Sequence, residues 1–329
     1  MRAVVTGASG FVGQNLVRHL RAEDVTVRTL DMRPLGRADT EGIEHTQADL
    51  RDGAALEAAF AEADIVFHLA SKITLMARDE EAWETNVSGA ATVARTALAQ
   101  GVDRLVHCSS VHAFDLSQSR DHLDEQSPRS TSDARPVYDR SKAAGEAEVR
   151  KVIDVGLDAV IVNPTAIIGP IDVGPSRVNR VLRMAARGRV PFVVGGGFDF
   201  VDVRDVVIGL VAAARVGRTG ESYLLTGHRV TALELAQRAA RAGGHRGPRF
   251  ALPLGLLTPL APLGERVGRR FGSDAITKAS VSTLVENPVV DGSKAARELG
   301  YAPRSLEDTI DDLIRSFAEN CRATAPINR

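Results

Sequence analysis

The stretch TGASGFVG, residues 6–13, follows the apolar run AVV and overlaps the start of the helical pattern FVGQNLVRHLRA at 11–22. It carries Gly7, Gly10 and Gly13. Where a strand turns into a helix, the first glycine permits a tight turn and the second lets the backbone approach a pyrophosphate. The third lets helix and strand pack closely, and the helix N-terminus attracts the anion. Three glycines alone also describe an ordinary turn, but their place between a strand and a helix favours a dinucleotide site.

Short β-branched runs alternate with helical periods over the first half of the chain. Runs such as VTVRTLD at 25–31, DIVFHLA at 64–70 and RLVHCSS at 104–110 are typical of strands. The alternation predicts an α/β protein with a doubly wound parallel sheet over residues 1–165, to which residues 201–226 return. Residues 166–200 and 227–329 are predicted to form a smaller mixed α/β C-terminal lobe that binds substrate. The polar stretch at 115–136 is predicted to be a surface loop.

Composition excludes several classes of protein. The 329 residues have a formal net charge of −1 with scattered basic residues, so a nucleic-acid partner is not expected. Cys108 and Cys321 show no metal spacing, so no metal site is expected, and free thiols with no secretory signal pattern favour a cytoplasmic location. The apolar run at 251–264 is too short and too rich in proline to span a bilayer. Core packing and a pocket or membrane-surface role both stay open for it.

Asp31 ends the second predicted strand, where a carboxylate accepts hydrogen bonds from ribose hydroxyls and repels a 2′-phosphate. NAD is therefore favoured over NADP, although Arg33 is close enough in sequence to compensate a phosphate. Asp49 and Leu50 follow the third strand, where a carboxylate and an apolar side chain are candidates to hold adenine; a surface aspartate is the alternative for Asp49. At the end of the fourth strand, backbone contact with the cofactor is a better expectation than a role for the His68 side chain.

Taken in order, the motifs of this chain resemble the extended short-chain dehydrogenase/reductase family. They are TGASGFVG at 6–13, the terminal Asp31, ADL at 48–50, HLA at 68–70, NVSG at 86–89, HCSS at 107–110, YDRSK at 138–142 and NPTAIIGP at 163–170. The resemblance implies a Rossmann fold, an NAD cofactor with NADP as the alternative, and a small-molecule substrate. It also implies a homodimer through the helices near 80–100 and 138–155.

The resemblance further implies which residues contact the cofactor. They are Gly7, Ser9, Gly10, Phe11, Val12, Gly13, Asp31, Arg33, Asp49, Leu50, Leu69, Ala70, Ser71, Asn86, Ser109, Tyr138, Lys142, Pro164 and Thr165.

Tyr138 and Lys142 are four residues apart in a helical pattern and so share one helix face. A tyrosine with its ordinary pKa near 10 is a poor acid or base at neutral pH, and a nearby ammonium lowers that pKa by stabilising the phenolate. Ser110, at the end of the fifth strand, is placed to hydrogen-bond a substrate oxygen. By resemblance Ser110 rather than Ser109 completes the catalytic set. Taken singly, each of these residues is also compatible with an ordinary turn or helix start.

The second lobe separates two substrate classes. By resemblance, members that act on nucleotide sugars carry one arginine just before a DYxxV-like strand and another before the final DxSK-like helix. This chain reads GGFDFVDVRD, with Phe198 in the first arginine position, and ENPVVDGSK, with no arginine near the second. A diphosphate needs such charge-assisted donors, although Arg177 and Arg204 keep that option open. Phe192, Phe198, Phe200 and the 251–263 run instead suggest an apolar pocket, as in the dihydroflavonol-reductase-like and hydroxysteroid-dehydrogenase-like branch.

The favoured hypothesis is therefore an NAD(P)-dependent oxidoreductase that moves hydride between nicotinamide and a secondary alcohol or ketone of a lipophilic or aromatic substrate. The alternatives are a nucleotide-sugar 4-epimerase or dehydratase with tightly bound NAD, and a non-catalytic dinucleotide sensor. The expected substrate contacts are Lys72, Ser110, His112, Asn163, Phe198 and Phe200.

Overall fold

The computed structural model describes residues 1–36, 42–119, 122–172, 174, 176–253 and 288–323. Their centre is a seven-stranded parallel sheet in the order β11-β7-β5-β4-β1-β2-β3. Its strands are β1 (Arg2–Thr6), β2 (Thr26–Asp31), β3 (Glu44–Gln47), β4 (Ile65–His68), β5 (Arg104–Cys108), β7 (Ala159–Pro164) and β11 (Ser222–Leu225). This order, with helices on both faces, confirms the predicted doubly wound sheet.

Helices cover both faces of this sheet because its strands are apolar on both sides. One face packs against α1 (Phe11–Ala22) and α7 (Val203–Val216). The other packs against α2 (Gly53–Phe60), α4 (Gly89–Ala99) and α5 (Val137–Ile153). Successive strand residues alternate between the two cores, with Val4 in one and Val5 in the other, both fully buried.

The strand order reverses between β1 and β4. From β1 the sheet continues through β2 and β3 to one side, whereas β4, β5, β7 and β11 continue to the other. At such a reversal the connections leave in opposite directions and open a crevice at the carboxyl ends of the strands, which is where ligands of doubly wound folds bind.

A second region of smaller sheets follows β7. β8 (Ala166–Ile168), β10 (Gly197–Asp202) and β12 (His228–Thr231) form a three-stranded sheet, and β9 (Val193–Val194) pairs with β13 (Ala251–Leu252). The helices α6 (Arg177–Ala186), α8 (Ala232–Ala242) and α10 (Leu306–Ala323) share an apolar core with these strands. α9 (Ser293–Leu299) packs instead against α7 and β11 of the large sheet.

The prediction of a surface loop at 115–136 is wrong in part. Leu116 and Leu123 are buried there, and they pack with Phe114 and Leu224 in a separate apolar cluster. β6 (His122–Leu123) pairs in parallel with β14 (Val289–Val290). The turn-rich sequence hid this because the pairing is short and its partner strand lies far along the chain.

The glycine-rich stretch VVGGGFDF at 193–200 contains β9 and most of β10. The helical stretch that begins with α3 (Glu80–Trp83) passes through one π-helical segment, Glu84–Ser88, before α4. Such segments add a residue to a turn and are frequent at functional sites.

Candidate active site

The glycine turn lies at the strand reversal. Gly7 has a positive φ of 73°, and a Cβ placed on it would lie 2.5 Å from the backbone nitrogen of Ala70, just after β4. A Cβ on Gly13 would lie 2.2 Å from the Gly7 carbonyl oxygen. Both positions therefore require glycine, because any side chain would push the turn away from its neighbours.

The first turn of α1 is suited to an anion. Its N-cap, Gly10, makes no side-chain capping bond, and the first turn contains no acidic residue. Phe11 and Val12 open this helix, so their backbone N–H groups belong to the turn that points towards the crevice. The glycine cradle and this helix end fit the pyrophosphate of a dinucleotide.

Asp31 stands at the carboxyl end of β2, nearly buried. Its two carboxylate oxygens accept hydrogen bonds from the backbone nitrogens of Ser9, at 2.9 Å, and Arg33, at 2.9 Å. The Ser9 hydroxyl donates to the carbonyl oxygen of Arg33, and the exposed Arg33 guanidinium lies 3.7 Å from the carboxylate. The carboxylate is thus fixed beside the glycine turn, where a ribose would lie.

Asp49 and Leu50 follow β3 but face different surroundings. Arg51 donates two side-chain hydrogen bonds to Asp49, at 2.9 and 2.6 Å, and these lower the pKa of the Asp49 carboxyl group. Leu50 is buried against the start of α4, where a Cβ on Gly89 would lie 3.1 Å from its side chain. Leu50 therefore packs in the core, and Asp49 is held by an ion pair at the rim.

Asn86, in the π-helical segment, joins the end of β4 to α5. Its Oδ1 accepts from the Ser71 hydroxyl at 3.0 Å and from the Lys72 backbone nitrogen at 2.9 Å. Its Nδ2 donates to the Lys72 carbonyl oxygen and to the Ser141 hydroxyl. A Cβ on Gly145 of α5 would lie 2.4 Å from the Asn86 carbonyl oxygen, so the two helices touch through backbone. Asn86 positions the loop after β4.

The predicted catalytic residues come together at the carboxyl end of β5. Ser110 follows β5, and Tyr138 and Lys142 lie one turn apart in α5, which packs against the short 3₁₀ helix after Ser110. The Lys142 Nζ donates to the Cys108 carbonyl oxygen at 3.0 Å, two residues before Ser110. Neighbouring Ser109 is buried, and its hydroxyl has no hydrogen-bond partner among the described residues.

The pKa of Tyr138 differs from the expectation. Burial raises the pKa of this tyrosine, the side chain of Ser110 opposes the rise, and the nearby Cys108 and Asp139 add to it. Burial also lowers the pKa of the Lys142 ammonium. Lys142 was predicted to lower the pKa of Tyr138. Its ammonium instead donates to the Cys108 carbonyl oxygen, and the pKa of Tyr138 is raised.

Asn163, predicted as a substrate contact, lies beneath Ser110 and is fully buried. Its Nδ2 donates to the Ser110 carbonyl oxygen at 3.0 Å and to Glu146 Oε1 at 2.6 Å. Glu146 in turn accepts from Arg129 Nε at 2.9 Å. Glu146 was not among the predicted site residues, although its spacing of four residues from Lys142 places it on the same face of α5.

His112 lies beside Tyr138, with ring centroids 5.8 Å apart, and its backbone nitrogen donates to the Ser110 hydroxyl oxygen. Its Nδ1 is 3.2 Å from Asp139 Oδ1, at an angle outside the range of a hydrogen bond. Asp139 is buried and also contacts Arg135. Among the predicted substrate contacts, His112 and Ser110 are therefore the two that border Tyr138.

The other predicted substrate contacts have partners of their own. The Lys72 ammonium lies 3.1 Å from Asp79 and 2.5 Å from Glu81. Phe200 is buried in the core of the second region, and Phe198, two residues before it on the same face of β10, packs against it.

Three further residues that were predicted to contact substrate or cofactor have surroundings of their own. Phe192 lies apart from Phe198 and Phe200 and is exposed. Arg204 donates to Asp202 and Asp312, so its guanidinium is occupied by carboxylates. Thr165, after Pro164, donates to Asp199 at 2.6 Å. Residues 254–263 of the apolar run lie outside the described residues.

Two buried histidines lie under this site. Thr6, His68 and His107 are register neighbours on adjacent strands β1, β4 and β5. Thr6 Oγ1 and His68 Nδ1 are 2.8 Å apart, and the two imidazole rings are 5.1 Å apart. Burial lowers the pKa of His68 to about 3 and that of His107 well below its ordinary value, with Lys142 adding to both effects. Both rings are therefore neutral at physiological pH.

The described residues contain no cluster of three or more His, Cys, Asp or Glu side chains that could hold a metal ion. Within the same ranges, no helix is long and apolar enough to cross a membrane.

Comparison with known proteins agrees with this geometry. The family model of the NAD dependent epimerase/dehydratase family matches residues 3–225. Sterol demethylase protein B of Methylococcus capsulatus is 34% identical over 97% of this chain and 99% of its own length. A putative dihydroflavonol 4-reductase of Synechocystis is 31% identical over 95% of this chain and 93% of its own. The 3beta-hydroxysteroid-dehydrogenase/decarboxylase isoform 1 of Arabidopsis thaliana is 28% identical, over 96% and 80%.

Solved structures share the whole architecture. The crystal structure of gox2253 superposes with a TM-score of 0.84 at 32% identity, covering 97% of this chain and 98% of that one. The motif resemblance to the dihydroflavonol-reductase-like and hydroxysteroid-dehydrogenase-like branch is thereby confirmed at the level of homologues. With a glycine turn at the strand reversal, a fixed carboxylate after β2 and a family match over residues 3–225, the chain belongs to the NAD-dependent epimerase/dehydratase family.

Proposed function

We propose that this protein is an NAD-dependent oxidoreductase that interconverts a secondary alcohol and a ketone on a lipophilic substrate. The observation that carries the proposal is the convergence of Ser110, Tyr138 and Lys142 at the carboxyl end of β5, beside the glycine turn. A family member that only sensed dinucleotides would not need an acid/base group and an oxyanion donor together at this position.

Tyr138 and Ser110 have different parts in the proposed reaction. The bound nicotinamide would supply the hydride acceptor or donor. In the reducing direction, Tyr138 gives its hydroxyl proton to the oxygen of the substrate carbonyl as the carbon gains hydride, and Ser110 donates a hydrogen bond to that oxygen. In the oxidising direction the same proton returns to the phenolate. The Tyr138 hydroxyl carries its proton at neutral pH, because the ordinary tyrosine pKa is near 10 and burial raises it further.

Lys142 and the buried network below it hold this set in place. The ammonium is anchored on the Cys108 carbonyl oxygen, and Asn163 binds the carbonyl oxygen of Ser110 from beneath. Both contacts are to the backbone of the turn that carries the serine, so they fix the distance between Ser110 and α5. Lys142 lies one helical turn after Tyr138 in α5, so this anchor also fixes the helix that carries the tyrosine.

The cofactor preference follows from Asp31. Its carboxylate is held beside the glycine turn by two backbone hydrogen bonds, so a 2′-phosphate would meet a fixed negative charge. Arg33 is largely exposed, with 68% of its side chain accessible, and contacts the carboxylate only at 3.7 Å. NAD is therefore the proposed cofactor over NADP.

The substrate class rests on the second region of the chain, residues 166–200 and 227–329, which we take as the substrate-binding lobe. Phe198 stands where an arginine would bind a diphosphate, and Arg204 is held between Asp202 and Asp312. Several relatives are named for sterols or hydroxysteroids. Polycyclic, sterol-like alcohols and ketones are thus the first substrates to test.

The test is a screen of NADH and NADPH oxidation against ketones of graded size and polarity, repeated with Tyr138→Phe. Loss of turnover by roughly 10²- to 10⁴-fold with retained NADH binding supports the proposal. Tyr223→Phe is the matched control, because that hydroxyl donates to Glu298 of α9 and neither residue is a predicted cofactor or substrate contact. Full turnover by Tyr138→Phe would overturn the assignment, whereas NAD that stays bound through purification and shows no net reduction would indicate an epimerase instead.

The proposal includes a cytoplasmic homodimer formed through the helices near residues 80–100 and 138–155. Sedimentation equilibrium tests it: a mass of twice 35.1 kDa is expected, and a monomer at micromolar concentration would contradict it.

A further inference from the structure

Two loops of the second region lie side by side at the ends of α6 and α8. The first comprises residues 187–192 and the second residues 243–250. A Cβ on Gly188 of the first would lie 3.3 Å from the ring of His245 in the second, and both loops continue into the paired strands β9 and β13. They therefore form one continuous surface, which together with the last turns of α6 and α8 is called the basic face below.

Large apolar side chains are exposed on this face. The rings of Phe192 and Phe250 stack with centroids 6.2 Å apart, yet the two residues are 46% and 53% exposed. Met184, near the end of α6, is 44% exposed. A stacked aromatic pair left in water, with a further apolar side chain nearby, is typical of an interaction site rather than of an inert surface.

The charged side chains of the two loops are positive. The exposed arginines Arg187 and Arg189 belong to the first loop, and Arg246 and Arg249 to the second. The sequence contains no aspartate or glutamate between residues 173 and 198 or between residues 235 and 264. The whole protein carries a net charge of −1, so this concentration of positive charge is local. Local fields of this kind select anionic surfaces.

We propose that the basic face docks the protein on an anionic lipid surface. Arginines beside exposed aromatic rings fit the boundary between headgroups and acyl chains, where the rings insert and the guanidinium groups bind lipid phosphates. A polyanion such as RNA would satisfy the arginines but would leave the Phe192–Phe250 pair, already stacked on itself, without an apolar environment. This inference stands apart from the catalytic assignment, since it uses none of the residues Ser110, Tyr138 and Lys142.

The experiment is flotation of the full-length protein with vesicles of phosphatidylcholine, with and without phosphatidylglycerol. Binding is expected only where phosphatidylglycerol is present, and it falls as salt is raised, because salt screens surface charge. Heparin in solution measures binding to a polyanion without an apolar phase. Failure to float with anionic vesicles at low salt would overturn the proposal.

Substitutions on the basic face test whether this face is responsible for vesicle binding. Arg246→Ser with Arg249→Ser is expected to weaken vesicle binding about fivefold per arginine, and Phe192→Ser with Phe250→Ser to weaken binding to vesicles but not to heparin. Arg297→Ser with Val155→Ser is the matched control, since both residues are exposed elsewhere. Circular dichroism melting confirms that each variant is folded. Equal vesicle binding by the face variants and the control, or loss of heparin binding alone, would reject a lipid surface as the partner.

Discussion

At the carboxyl edge of the large sheet, polar side chains are buried and bound to one another, whereas on the basic face charged and aromatic side chains are exposed. Around Ser110, groups such as Asn163 and Glu146 are almost completely buried and set at hydrogen-bond distances of 2.6–3.0 Å. On the basic face, Phe192 and Phe250 are half exposed. Fixed internal contacts suit chemistry that depends on angles and distances, while exposed cations suit a partner without a defined shape.

The largest expected effect tests the buried side of this comparison. Ser110→Ala is expected to lower kcat about 10²- to 10³-fold, because it removes the donor to the substrate oxygen. Thr309→Ala removes a buried hydroxyl that donates to the Ser305 carbonyl oxygen at the start of α10 and is expected to leave kcat close to wild type. Steady-state kinetics with a ketone substrate measure both. A wild-type kcat in Ser110→Ala would show that the rigid network serves stability alone.

Asp31 tests whether a fixed carboxylate controls cofactor choice. Asp31→Asn keeps an acceptor but removes the charge, so the preference for NADH over NADPH is expected to fall about 10- to 100-fold. The ratio of kcat/KM for the two cofactors measures this change. Asp103→Asn, at an exposed position, is the control. An unchanged ratio would assign cofactor choice to another group, such as Arg33.

The buried histidines predict a pH dependence of stability. The pKa of His68 in the folded protein, about 3, lies below its ordinary value of 6.5, so the unfolded chain binds a proton first as pH falls. Stability is therefore complete above about pH 6.5 and decreases towards the folded value, by about 2 kcal/mol at pH 5. Urea unfolding of wild type and His68→Gln from pH 7 to pH 5 measures this.

The control for that series is His122→Gln, because His122 is exposed. A loss of stability on acidification that is the same in wild type and His68→Gln would refute the role of His68.

The smallest expected effect comes from measuring turnover in the variant of the basic face and vesicle binding in the variant of the proposed active site. Arg246→Ser with Arg249→Ser is expected to leave turnover of a water-soluble ketone unchanged, because neither residue approaches Ser110 or α5. Tyr138→Phe is expected to keep wild-type vesicle binding. Kinetics and flotation on the same preparations measure both results. If either variant altered the other function, the two surfaces would be coupled rather than independent.

The first half of the chain was well predicted because its signals are local. Each of its motifs marks a local position in the fold. The glycine turn and Asp31 mark strand ends, and the four-residue spacing of Tyr138 and Lys142 marks one face of a helix. The parallel sheet follows from the alternation of strands and helices, and the structure confirms it.

The second half was less predictable because its determinants are contacts between distant residues. Arg204 reads as a free cation, but Asp312, more than a hundred residues later, pairs with it at 2.6 Å. β6 pairs with β14 from the far end of the chain. The direction of Lys142 towards the Cys108 carbonyl oxygen likewise depends on how α5 meets β5. Phe198 and Phe200 were grouped with Phe192, although strand periodicity alone places the first two together.

Gly145 limits which residues position 145 of α5 can accept. Its missing side chain lets α5 rest on the Asn86 carbonyl oxygen, and a methyl group there would lie 2.4 Å from that oxygen. Because Tyr138 and Lys142 belong to the same rigid helix, displacing α5 at this point would move both together. Selection for turnover would then act on a residue with no chemical group to contribute. In a saturation library sorted for activity, position 145 is expected to stay glycine, while the open position Gly53 accepts many replacements.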